Sequence, residues 1–182
     1  MEEIMRGKAW VFDGILDVDW EILGYDVSKN LQQKGIPRTY EELGKHCMVN
    51  VDPEFPKKVQ RGDFLVAGEN MGYGHDHDQA SMAIRGAGVA AVLCESSNGN
   101  FVRNSIDHGL PVVEINGITA GVRQGDELEV QLGKGTLKNL TSGAELHFTP
   151  FPDFIMRILK AGGVYPYLER QLKAGRLRSP ET

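Results

Sequence analysis

Short apolar runs alternate with glycine-rich turns through the middle of the chain, and that rhythm predicts the architecture. "KAWVF" (Lys8 to Phe12) is β-prone, and the acidic "DGILDVDWEI" after it reads as a loop carrying Asp13, Asp17 and Asp19. Asp19 is expected where the strand hands over to a turn. "GDFLVAG" reads as a buried strand, "ENMGYGHD" as a tight turn, and "DQASMAIRGAG" as a helix with Ala80, Ala83, Ile84 and Ala87 at helical spacing, closed by Gly86 and Gly88. "VAAVLCES" is a second apolar strand, and a shorter helix around "NFVRNSIDHG" leads into a third, "LPVVEI". Strands joined through helices in this way are expected to pair in parallel.

The flanks differ from this middle. From Gly24 to Pro56 the composition turns polar, and "NLQQKGIPRTYEELGKHC" predicts two short helices separated by Gly35-Ile36-Pro37, an excursion over 24–56 rather than a second domain. After "LPVVEI" the segments "GDELEVQL", "TLKNLT" and "AELHFT" alternate apolar with polar and are divided by glycines, as antiparallel hairpins require. "PDFIMRILKAGG" and "YPYLERQLKAG" are closing helices, each ended by glycine, and 174–182 reads as a flexible tail. The expected fold class is α/β, a mixed sheet with C-terminal antiparallel hairpins and helices, over one domain spanning 1–182.

Composition narrows the function. With 182 residues and 41% hydrophobic content, the chain can bury a proper core. Its 20 basic residues against 25 acidic give a net charge of −5 and form no Lys/Arg run, so no nucleic-acid partner is expected. The start lacks a secretory pattern and no apolar run approaches the ~20 residues that span a bilayer, so a cytoplasmic protein with no membrane partner is expected. Cys47 and Cys94 are too few and too far apart for a disulfide framework or a self-contained thiolate cage.

The candidate chemistry lies in His75, Asp76, His77 and Asp78, four ionisable residues in a row just after the glycine-rich turn. Three readings compete: an acid/base centre, a metal site, and a solvated loop whose Asp residues cap the helix. The row lacks the H-x-H-x-D-H order of binuclear zinc hydrolases, because Gln79 and Ala80 occupy the last two places. No metal ligand is therefore assigned on this chain.

Taken together, "ELGKHCM", "DPEF", "GDFLVAGENMGYG", "RNSIDHGLPVVE", "GDELEV", "NLTSG" and "ILKAGG" resemble the small subunit of 3-isopropylmalate dehydratase, the detached swivelling domain of the aconitase superfamily. The likeness runs in order from about Lys8 to Leu172. It implies a swivelling β/β/α domain that sits as a lid over an aconitase-type large subunit, with a [4Fe-4S] cluster held by that partner and none by this chain. It also implies a small hydroxy-acid substrate that is dehydrated, and in many relatives rehydrated the other way round.

One segment departs from the pattern. Relatives typically read G-x-G-S-S-R-E-H-A at the glycine-rich turn; here Gly72, Gly74 and Ala80 keep their places while the middle reads "HDHDQ". By position His75 replaces the family's serine base and His77 the arginine that clamps a substrate carboxylate. Gly72, Tyr73, Gly74, Asp76 and Asp78 are then expected to line the substrate, and Asp19 matches the second acid of the family's D-T-D segment. Arg38 is the nearest substitute for a substrate-contacting arginine that relatives carry in a P-x-R loop and that is missing here. Arg103 and Asn104 match the family's F-x-R-N and are assigned to structure.

The turn suits such work physically. A strand-to-helix junction offers free backbone N–H groups and the positive end of a helix dipole to a carboxylate, and the same dipole is expected to keep His75 neutral and available as a base. Asp76 and Asp78 in the first helical turn are expected to repel a dicarboxylate, which predicts a substrate with fewer carboxylates than isopropylmalate or a compensating cation from elsewhere. The leading expectation is the lid subunit of a two-subunit hydro-lyase or isomerase. Ordinary 3-isopropylmalate isomerisation with an unusual turn, a non-catalytic module binding small acids, and a stand-alone metal-dependent protein are the alternatives.

Overall fold

The computed structural model describes residues 4–75 and 77–177. Strands β1 (Met5–Phe12), β2 (Phe64–Ala67), β3 (Ala91–Cys94), β4 (Val112–Glu114), β5 (Glu127–Gln131), β6 (Thr136–Asn139) and β7 (Glu145–His147) form one seven-stranded sheet in the order β4-β3-β2-β1-β5-β6-β7. The four strands from β4 to β1 run parallel, and β1-β5-β6-β7 are antiparallel, so β1 joins the two styles of pairing. The change at "GDELEVQL" expected from the pattern is thus where the sheet changes direction.

The apolar runs are buried on both faces. In β2, Phe64 and Val66 point into one layer while Leu65 and Ala67 point into the other, and β3 divides Ala91 and Leu93 from Val92 and Cys94 in the same way. One layer is closed by α1 (Tyr25–Gln33), α2 (Tyr40–Gly44), α3 (Phe55–Lys58), α4 (Gln79–Gly86) and α5 (Gly99–Asp107). The other is closed by α6 (Ile118–Gly121), α7 (Asp153–Ala161) and the apolar face of β5 and β6. The last helix, α8 (Val164–Lys173), packs on α7 and buries no residue fully. Phe55 and Phe64, one in each layer, are completely buried, which contributes about 1.5–3 kcal/mol for each side chain.

The polar excursion forms its two expected helices, α1 and α2, with Gly35-Ile36-Pro37 between them. It is part of the fold, because Leu31, Leu43, Cys47, Met48 and Phe55 all enter the first layer. The "KHCM" segment forms successive turns after α2 instead of the helix expected there. Helices α2 and α4 cross at their glycines: a Cβ on Gly86 would lie 1.8 Å from the Tyr40 carbonyl oxygen, and one on Gly44 would lie 2.3 Å from the Gly86 carbonyl carbon. Only hydrogen at both positions lets the backbones approach this closely. Arg103 and Asn104 both lie on α5, where Asn104 is buried. The predicted tail continues from Ala174 to Leu177 as turn and bend, and 178–182 lies outside the described residues.

The Gly86 crossing gives a direct test of this packing. Gly86→Ala should destabilise the chain by roughly 2 kcal/mol or more, since neither backbone can yield. Gly99→Ala, where an added Cβ meets nothing within 4 Å in the first turn of α5, should be neutral or slightly stabilising. Denaturant unfolding of the two variants checks both directions.

Candidate active site

Parallel pairing of β1 and β2 sets their carboxyl ends side by side, so the loops that follow them meet although Asp19 and His75 are 56 residues apart in sequence. After β1 the chain forms a single π-helical turn, Val18–Ile22. Asp17 caps it by accepting from the N–H groups of Asp19 at 2.8 Å and Trp20 at 2.6 Å, and its own carbonyl accepts from Ile22 N–H at 3.0 Å. Asp19 therefore sits inside a wide helical turn and not at a simple strand-to-turn junction. The excursion holds this turn from behind: Asn50 Nδ2 donates to the Trp20 carbonyl at 2.9 Å, and Met48 N–H to the Ile22 carbonyl at 2.9 Å.

The glycine-rich loop after β2 is fixed on both sides. Gly72 N–H donates to the Leu16 carbonyl and Val18 N–H to the Tyr73 carbonyl, both at 2.8 Å. On the other flank Met71 N–H donates to the Ser96 carbonyl and Asn98 N–H to the Met71 carbonyl, both at 2.9 Å. Gly72 lies against the Phe101 ring at φ +79°, where an added Cβ would meet ring carbon at 2.2 Å. Gly74, at φ +121°, is constrained by the site itself, because a Cβ there would stand 2.7 Å from Asp19 Oδ2 and 2.9 Å from Val18 Cγ2. Its missing side chain is the space through which the carboxylate reaches His75.

That carboxylate organises the site. Asp19 Oδ2 accepts from the His75 backbone N–H at 3.1 Å and lies 2.8 Å from His75 Nδ1, while Oδ1 lies 3.2 Å from His77 Nε2. Burial pushes the Asp19 carboxyl upward, but the hydrogen bonds from His75 and His77 outweigh it and hold the group below its ordinary range. In return, the bond to Asp19 and its negative charge raise the His75 imidazole above 6.5. The contact with Asp19 at 2.8 Å acts against the helix dipole expected to keep His75 neutral: the carboxylate raises the ring's affinity for a proton, whereas the dipole end lowers it. The His75 side chain is 89% exposed, and with Nδ1 tied to Asp19 its Nε2 is the nitrogen left for a ligand. His77 is far less open at 27%, directs Nε2 to Asp19, and keeps Nδ1 buried without a hydrogen-bond partner among the described residues.

The remaining expected residues scatter. Tyr73 is exposed beside this cluster, with its backbone bound to the π-helical turn. Asp78 occupies the N-cap of α4 yet makes no cap hydrogen bond; its Oδ2 lies 3.1 Å from His108 Nε2 instead. Arg38 is exposed on the loop before α2. Asp76 lies outside the described residues. Sequence reasoning treats Asp17 as a loop acid, although its place two residues before Asp19 is a capping position. It gives no role to His108, whose partner lies 30 residues away with no local signal to reveal the pairing.

Trp20 and Ile15, 58% and 57% exposed, stand on the same loop as Asp19, so the rim of the site carries large apolar groups open to a neighbour. Both cysteines are buried in the first layer, where burial pushes the Cys47 thiol far upward and, with the charges of Glu114 and Glu95, raises Cys94 to about 12.

The Asp19–His75 pair is fully charged between the lowered pKa of Asp19 and the raised pKa of His75. It loosens as pH rises through the second value or falls through the first. Asp19→Asn should lower the His75 pKa toward 6.5, followed by NMR titration of the ring, and Gly74→Ala should lower it as well by displacing the carboxylate.

Comparison with known proteins places this chain in a family. The Aconitase C-terminal domain family matches residues 20–117. The 3-isopropylmalate dehydratase small subunit of Pyrobaculum calidifontis is 48% identical over 171 residues, covering 92% of this chain and 99% of that protein. The isopropylmalate/citramalate isomerase small subunit of Methanocaldococcus jannaschii is 39% identical over 178 residues, covering 94% and 98%. The crystal structure of 3-isopropylmalate dehydratase (leuD) from Methanocaldococcus jannaschii superposes with a TM-score of 0.82 at 33% identity, covering 95% of this chain and 98% of that one. The chain therefore belongs to the 3-isopropylmalate dehydratase small-subunit family, hydro-lyase subunits of the aconitase superfamily.

Proposed function

We propose that this chain is the lid subunit of a two-subunit hydro-lyase/isomerase, that it closes over an aconitase-type large subunit, and that His75 is the base taking a proton from a small hydroxy acid of the isopropylmalate class. The observation that carries the reading is the Asp19 carboxylate bound to His75 Nδ1, with the rest of that imidazole open. In this reading the [4Fe-4S] cluster belongs to the large subunit, since the two buried thiols of this chain do not fit as its ligands.

A hydrogen bond from Nδ1–H to Asp19 fixes the tautomer, so the lone pair stands on Nε2. That nitrogen accepts the proton from the carbon next to a substrate carboxylate, the electron pair of the broken C–H bond forms the C=C bond as hydroxide leaves the neighbouring carbon, a departure that a Lewis-acidic cluster on the large subunit would assist, and the imidazolium formed stays paired with Asp19. In the reverse direction the same proton returns from Nε2. Asp19 is a positioning residue that strengthens His75 as a base, and His77 steadies the other oxygen of the same carboxylate. The start of α4, uncapped by Asp78, supplies a positive dipole end for the substrate's carboxylate. The exposed Trp20 and Ile15 suit closure against the large subunit, which removes water from the pair.

Of the two acids expected to repel a dicarboxylate, Asp78 is directed to His108, away from the start of α4. An isopropylmalate-type dicarboxylate is therefore the favoured substrate, and a panel of C4 to C8 hydroxy acids offered to the reconstituted complex identifies it.

His75→Ala should lower kcat of the reconstituted complex by about two orders of magnitude or more, with the complex still assembled; an unchanged kcat rejects the role. The neutral imidazole is the active form, so the rate of dehydration should rise with pH through the raised His75 pKa. Because Asp19→Asn lowers that pKa, the same limb should move to lower pH in this variant, which a pH–rate profile measures.

A further inference from the structure

An aspartate at a helix N-cap ordinarily turns its carboxylate onto the first free N–H groups of the helix. Asp78 stands at that position of α4 and does not: it makes no cap hydrogen bond, and its Oδ2 lies 3.1 Å from His108 Nε2 at the end of α5. The His108 imidazole, 13% exposed, is itself aimed from the other side by the Tyr40 hydroxyl, 2.7 Å from Nδ1. Tyr40 packs edge-on against the same ring, at 5.6 Å between centroids and an interplanar angle of 77°. Its own ring lies beneath the Arg85 guanidinium at 4.9 Å, and Arg85 in turn donates to the carbonyls of His108 and Gly162. An enclosed imidazole held by this many neighbours is a fixed anchor, and the half-exposed carboxylate is the member of the chain free to move.

The consequence falls on the turn next door. Asp78 directly follows His77, and a carboxylate capping α4 would place a full negative charge where the proposed substrate's own carboxylate is received. We infer that His108, aimed by Tyr40, is a specificity-determining positioning residue: it holds the Asp78 carboxylate away from the start of α4 and so keeps that helix end open to an anionic substrate. This rests on the reading of the turn as the substrate site. It assigns the row's last acid a role opposite to substrate binding. Asp78 is tolerated in the row because a side chain from the end of α5 removes its charge from the site.

The test is a cycle of variants in the reconstituted two-subunit enzyme, with an isopropylmalate-type dicarboxylate as the probe. His108→Ala should raise KM by about fivefold, the effect of one partly solvated like charge, with kcat little changed. Adding Asp78→Asn should return KM to the value of Asp78→Asn alone, and His108→Gln, whose amide can still donate to Asp78, should stay near wild type. A KM that does not rise in His108→Ala, or a rise that persists in the double variant, overturns the inference. Loss of turnover in the wild-type complex would instead count against the proposed function. The inference is then decided by the crystal structure of the isolated His108→Ala chain: a carboxylate rotated onto the first N–H groups of α4 supports it, and one left in place overturns it.

Discussion

One carboxylate shared between two imidazoles is the constraint on which the site depends. Asp19 uses Oδ2 for His75 and Oδ1 for His77, and each of the three groups alters the others. The acid is kept ionised by the two donors, the exposed ring is made more basic by the acid, and the tautomer of both rings is set by where the acid stands. The arrangement requires a gap at Gly74, a π-helical turn that presents Asp19 at the right height, and two strands paired in parallel so that the loops end together. Removing any of these separates the carboxylate from the ring.

The rest of the molecule serves to hold that junction. Two glycines let α2 and α4 cross at close range, which ties the polar excursion to the helix that begins at the site. The same excursion, through Met48 and Asn50, supports the π-helical turn from the far side. Packing far from the chemistry is thus connected to it through backbone contacts. Stability and function share the same helix: α4 buries Ala80, Ala83 and Ile84 on one face while its start receives the proposed ligand.

Much of this is readable in the pattern of residues. The buried runs "DFLVAG" and "VAAVLC" are legible as strands because both faces are covered, and the change to alternation at "GDELEVQL" marks the turn from parallel to antiparallel pairing. The resemblance locates the altered turn, and Gly72, Gly74, His75 and Asp19 do come together. What stays hidden is every interaction set by distance in space. Nothing local to "DVDW" indicates a π-helical turn, and nothing local to "DHG" indicates that His108 captures Asp78 across two helices. The upward push on the His75 pKa is hidden from sequence for the same reason: a helix dipole can be inferred from sequence order, whereas a carboxylate at hydrogen-bond distance cannot.

The central claim is that an imidazole backed by Asp19 faces the reacting carbon when the lid is closed. The most direct measurement is a crystal structure of this chain assembled with its large subunit and a bound hydroxy acid. His75 Nε2 should lie within about 3.5 Å of the carbon that gives up its proton, with Nδ1 still on Asp19 and no water between ring and substrate. A His75 ring turned away from the substrate, or an Asp19 released from it in the closed complex, would contradict the account.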